Sequence, residues 1–137
     1  MGLYLCVFSE LDELEGVEVG RYDDFAFFRR LVTSRLESGD DGSRYPTLIN
    51  HSDCDGEWSP AEARLLKSEL LEIKERLGAE PPADFNSDWQ REVAKLVGLR
   101  PQTLAECFID TDGEPLIERL LELADVAIRH ELPIIFQ

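Results

Sequence analysis

Residues 114–137, EPLIERLLELADVAIRHELPIIFQ, carry two hydrophobic periods in succession. In the first part Leu116, Leu120, Leu123 and Ala127 fall on one helical line, and Ile117, Leu121, Ala124 and Ile128 on the line beside it. An apolar arc that wide predicts a helix over 114–131 packed on more than one neighbour. The second part, LPIIFQ (132–137), is short and β-prone and predicts a strand. An apolar terminus left free would aggregate, so it is placed in a sheet beside the first strand.

Working outward from that helix, GLYLCVFS (2–9) reads as a buried strand and GVEVGRY (16–22) as an edge strand. Asp23 or Asp24 is expected to cap a helix whose inward face is Phe25, Phe28, Val32 and Leu36. A polar loop with two glycines follows (37–43), and YPTLIN (45–50) reads as a third strand. Ser59-Pro60-Ala61-Glu62 is a helix start with serine at the cap, proline at the first position and glutamate at the third. Leu66, Leu70, Ile73 and Leu77 form its stripe, and Gly78 is expected to end it in a left-handed turn. After a short linker with Pro81-Pro82, Ser87-Asp88-Trp89-Gln90 opens a helix with Trp89, Val93, Leu96 and Val97 on one side and Gly98 after it. The elements predict one α+β domain over 1–137, a sheet of three to four strands covered by about four helices. The helices do not alternate cleanly with strands, which disfavours a doubly wound parallel sheet.

The charge narrows the partners. Fourteen basic residues against 29 acidic give a net charge of −15 and a pI near 4.4. Such a chain repels bare nucleic acid and anionic membranes and attracts basic proteins. With 43% hydrophobic and 9% aromatic residues it is too rich in core material for a disordered acidic tail. Cys6, Cys54 and Cys107 are odd in number and far apart, a pattern that fits a reducing compartment. No basic segment precedes the apolar start, and no run approaches the ~18 apolar residues of a membrane helix, so the protein is expected to be soluble and cytoplasmic.

Asp53-Cys54-Asp55-Gly56-Glu57 recurs as Asp110-Thr111-Asp112-Gly113-Glu114, each time after an apolar pair and before a helix. Three readings compete for the two turns. Asp-Gly makes tight turns, and carboxylates favour helix N-termini. A calcium loop would set His51 at position 1, Asp53 and Asp55 at 3 and 5, Gly56 at 6 and Glu62 at 12. Imidazole is a poor first ligand, Glu62 already serves a capping box, and the second copy has Phe108 and Arg119 at the end positions. The third reading is a recognition surface for a basic protein, formed by Asp53, Asp55, Glu57, Asp110, Asp112 and Glu114 with Trp58 as an aromatic anchor. Catalytic signals are thin: His51 near Cys54 is the one imaginable pair, and an acidic surround raises a thiol's pKa rather than activating it. His130 reads as a partner of its helix's C-terminus. No catalytic group, metal or cofactor is expected.

The segments MGLYLCVF (1–8), HSDCDGEWSP (51–60), CFIDTDGEP (107–115) and LPIIFQ (132–137) resemble a family of bacterial immunity proteins that accompany polymorphic toxins. The resemblance covers nearly the whole chain and implies a cytoplasmic, non-catalytic antidote that binds its cognate toxin domain. It carries over no toxin-contacting residue. An acidic antidote suits a basic nuclease toxin, because nucleic-acid sites are cationic. The alternative is a small acidic module responsive to calcium or another metal. The two separate on a melting curve: millimolar calcium is expected to leave the Tm unchanged, and a rise of several degrees abolished by Asp53→Asn would restore the calcium loop.

Overall fold

The two ends of the chain lie side by side. In a computed structural model that describes residues 2–52 and 55–137, β1 (Gly2–Ser9) pairs antiparallel with β2 (Asp12–Arg21) on one side and with β4 (Ile134–Phe136) on the other. A two-residue strand, β3 (Glu57–Trp58), pairs with the far edge of β4, giving the all-antiparallel order β2-β1-β4-β3. The chain is therefore α+β as its patterns predict, with the C-terminal strand beside the first. The β1–β2 hairpin is longer than the sequence suggested. β2 takes in the acidic stretch from Asp12, and the ladder has two register shifts, at Leu3/Tyr4 and Val7/Phe8.

One face of the sheet is the floor of the core. Leu3, Leu5 and Val7 of β1 meet Val17 and Val19 of β2, Ile134 and Phe136 of β4 and Trp58 of β3. Helices α1 (Tyr22–Leu36) and α5 (Leu116–His130) lie on this floor, and α3 (Pro60–Leu77) packs against α5. Both apolar lines of α5 are engaged: Leu116, Ile117, Leu120, Leu121, Leu123, Ala124 and Ala127 are all buried, as a helix between sheet and α3 requires. Ser59 caps α3 as expected, its hydroxyl accepting from the Glu62 N–H while the Glu62 carboxylate accepts from the Ser59 N–H.

Four local expectations change. Residues 45–50 do not extend the sheet. Pro46–Ile49 is one helical turn, α2, with proline at its start, and the N–H groups of Thr47 and Leu48 donate to Glu69 of α3. The helix after β2 begins at Tyr22, and Asp24 serves it from the third position by accepting from the Arg21 N–H. Gly78 closes α3 in right-handed geometry, at φ −66°. In α4 (Asp88–Val97) the buried residues are Gln90 and Ala94, whereas Leu96 and Val97 are 86% and 53% exposed; Val93 and Val97 lie beside Gly113, and the helix start is anchored to the body.

That anchor is a buried carboxylate. Asp24 accepts from the Trp89 indole N–H (2.8 Å), the Asn86 amide (2.8 Å) and the Ser87 hydroxyl, joining the starts of α1 and α4. Glu37 is likewise buried, and accepts from the N–H groups of Gly42, Arg44 and Tyr45 and from the Thr33 hydroxyl, which folds the loop after α1. Burial pushes both carboxyls up, but the hydrogen bonds outweigh it and hold both below the usual carboxylate range. A carboxyl depressed in the folded state stabilises it above the unfolded pKa and loses that contribution as pH falls through the folded pKa. The Tm is expected to be flat near neutrality and to drop below about pH 4. Asp24→Asn with Glu37→Gln should lower stability at pH 7 by about 1–3 kcal/mol per site and flatten the acid limb. Calorimetric melts across pH read both effects; an unchanged acid limb in the double variant would show that other carboxylates control it.

Candidate functional site

The two acidic turns reach the surface at opposite edges of the sheet. The first leads into β3, and Gly56 O accepts from the Phe136 N–H at 3.0 Å. Asp55 and Glu57 are exposed; Asp53 and Cys54 lie outside the described residues. The second turn leans on the outer edge of β2, where the Thr111 N–H donates to Glu18 O (3.0 Å) and its hydroxyl to the Glu18 carboxylate (3.2 Å). Asp112 and Glu114 are exposed. β2 and β3 stand three strand spacings, about 14 Å, apart, and the second turn lies outside β2.

Two of the expected contact residues are interior. Trp58 is fully buried, its indole N–H donating to Thr47 O at 3.0 Å and its ring standing edge-on to Phe136 at 4.8 Å. It cannot serve as a surface anchor, because its apolar area is already spent on the core. Asp110 is 2% exposed. Its Oδ1 accepts from the N–H groups of Asp112 (2.9 Å) and Glu114 (3.0 Å), and its Oδ2 lies 3.4 Å from Arg119 Nε. Asp110 therefore builds the turn from inside and leaves display to Asp112 and Glu114.

Arg119 is the residue that sequence reading missed. From α5, mostly buried, it reaches Glu15 and the Gly16 carbonyl of β2 as well as Asp110, Glu114 and Glu122, and so clamps the second turn to the sheet. Only the Glu122 contact, three residues along the helix, was legible from spacing. Arg119's hydrogen bond, with one from the Gly16 N–H, overcomes the upward push of burial and holds the Glu15 carboxyl low.

His51 is stacked on Phe136 (4.2 Å between centroids), and both ring nitrogens are within hydrogen-bond distance of backbone carbonyls, Ser52 at 2.8 Å and Glu57 at 2.9 Å. Its ring is thereby engaged in holding the first turn against β4. Among the described residues no group of three or more His, Cys, Asp and Glu is placed to hold a metal ion. Burial and the nearby Glu13 push the Cys6 thiol up, as suits a packing residue.

The cross-strand register also defines a second sheet face, turned away from α1 and α5. Tyr4 opposes Glu18, Cys6 opposes Gly16 and Ile135, Phe8 opposes Glu13, and Ile135 opposes Glu57. Tyr4, Phe8 and Ile135 are half-buried there and lie outside the core cluster. The Tyr4 hydroxyl donates to Glu13 Oε1 at 2.6 Å, and the ring lies across Gly16, where a Cβ would come within 2.0 Å of its oxygen. That hydrogen bond, with burial, pushes the Tyr4 hydroxyl pKa well up. The two acidic turns flank this face, one at each edge.

Among the described residues no helix is long and apolar enough to cross a membrane. Residues 3–136 match a family model described as Immunity protein 70. No curated protein matches the chain, and no solved structure does. The buried and exposed members of the turns should separate on mutation. Asp110→Ala is expected to cost about 1–3 kcal/mol, since it strands two N–H groups and Arg119. Asp112→Ala should stay within about 0.5 kcal/mol. Urea unfolding of the two variants checks this, and equal costs would mean the turn is not held by Asp110.

Proposed function

The chain belongs to the Immunity protein 70 family, and we propose that it neutralises a cognate toxin domain by binding it, without catalysis, and that this domain is basic and acts on nucleic acid. The observation that carries the proposal is the charge: −15 over 137 residues, with exposed carboxylates raised at both edges of one sheet. A domain that cleaves nucleic acid needs a cationic surface to hold phosphates. An acidic protein competes for that surface, and its field speeds the encounter. The contact residues proposed are Asp55, Glu57, Asp112 and Glu114, with Asp53 of the first turn; Trp58 and Asp110 act by holding the turns in shape.

The test is co-expression with a toxin domain encoded by a neighbouring gene. The wild-type chain is expected to restore growth and to bind the purified domain. Asp55→Lys, Glu57→Lys, Asp112→Lys and Glu114→Lys together should slow association about tenfold or more at low salt and flatten its salt dependence. Unchanged association by a folded variant would remove these carboxylates from the interface. A toxin domain that does not bind the wild-type chain would end the antidote reading.

A further inference from the structure

We infer that the open sheet face centred on Tyr4, Phe8 and Ile135 is the docking surface for the basic toxin domain, the acidic edges being its rim. The inference rests on the antidote reading and supplies the apolar anchor that the burial of Trp58 leaves missing.

Antiparallel sheets with one solvated face normally alternate apolar residues inward with polar residues outward. The edge strands keep that rule: β2 turns Glu13 and Glu18 outward, and β3 turns Glu57 outward. The two central strands break it. The outward positions at the middle of β1 are Tyr4, Cys6 and Phe8, of which Cys6 is fully buried, and the outward residue of β4 is Ile135. No charge stands at any of these four central positions, although 31% of the chain is charged. The cation nearest in register is Arg21, opposite Gly2 at the end of the ladder and 3.9 Å from Asp23. An uncharged aromatic and aliphatic centre inside a charged rim is the anatomy of a protein interface.

Charge decides the occupant. A second copy of this chain would bring Glu13, Glu18 and Glu57 against carboxylates of equal sign, and two copies at −15 repel throughout. Nucleic acid and anionic lipid are repelled for the same reason. A protein surface with lysines or arginines around an apolar contact satisfies both parts of the face. Tyr4 is held ready for it: the bond to Glu13 and the seat over Gly16 fix its ring, so little side-chain entropy is lost on docking.

Hydroxyl-radical footprinting of the wild-type chain, alone and with the purified toxin domain, tests the face directly. Tyr4 and Phe8 are expected to lose reactivity in the complex, while Leu65 and Leu71, exposed on α3 in the helical layer, keep theirs. Phe8→Ala with Ile135→Ala should speed dissociation about tenfold or more with association little changed. Leu65→Ala with Leu71→Ala should leave both rates alone. If the wild-type chain binds and protects cells while Tyr4 and Phe8 stay reactive, this face is not the dock, and the antidote reading stands. Protection that appears in the free chain on concentration would assign the face to self-association and overturn the proposal. Should the double variant misfold, the wild-type footprint still decides. Failure of the wild-type chain to bind the toxin domain removes the antidote reading and the docking face with it.

Discussion

The pairing of β1 with β4 holds this molecule together, and it joins residues some 130 positions apart. Tyr4 and Gln137 exchange both backbone hydrogen bonds, and Leu5 and Cys6 stand opposite Phe136 and Ile135. Closing so long a loop costs only slowly more than closing a shorter one, but it delays the reward until the helices between have folded. β4 then does what three residues alone could not. It gives β3 its only described strand partner, sets Phe136 under Trp58 and His51, and completes the floor on which α5 lies. Both sheet faces depend on it, since Ile134 and Phe136 face the core and Ile135 faces out.

A chain with twice as many acids as bases must also place its carboxylates without unfolding itself. Several of them replace backbone partners that regular structure cannot reach. Asp24, Glu37, Glu69 and Asp110 each accept from two or more N–H or O–H donors, at helix starts and in loops. A carboxylate so engaged is a structural acceptor and displays little charge. Arg119 neutralises the densest group from within, drawing Glu15, Asp110, Glu114 and Glu122 around one guanidinium. Of the carboxylates left over, Asp55, Glu57, Asp112 and Glu114 stand at the sheet's edges, where their field is available to a partner, and others are exposed on the helices.

Local chemistry made much of the fold legible in advance. The Ser59-Pro60-Ala61-Glu62 cap, the double stripe of α5 and the apolar β1 and β4 segments each carry their own signal, because caps, helical periods and strand runs are satisfied by near neighbours in sequence. Tyr45-Pro46-Thr47-Leu48-Ile49-Asn50 misled for the opposite reason. Its β-prone composition lost to two hydrogen bonds that its N–H groups donate to Glu69, a residue more than twenty positions away. The outward Leu96 and Val97 have the same origin: a stripe states that a face is apolar, not that anything covers it.

By itself the sequence determined the charge, the α+β class, the two Asp-Gly turns and the joining of the chain's ends. It left the roles inside those turns undecided, since the described parts of the two copies lead into different elements, an edge strand in the first and α5 in the second. In the second copy Asp110 is covered and bound by Arg119, while in the first the residues that follow Asp55 lead straight into an edge strand. Trp58 carries an anchor's side chain and is a core residue, because β4 and α2 close over it. Tyr4, Phe8 and Ile135 look like core residues in a strand pattern and face outward, because only the pairing register says which side of a sheet a residue takes. Local turn geometry is written in a few adjacent residues. Exposure is set by what packs over them, and those groups arrive from distant parts of the chain.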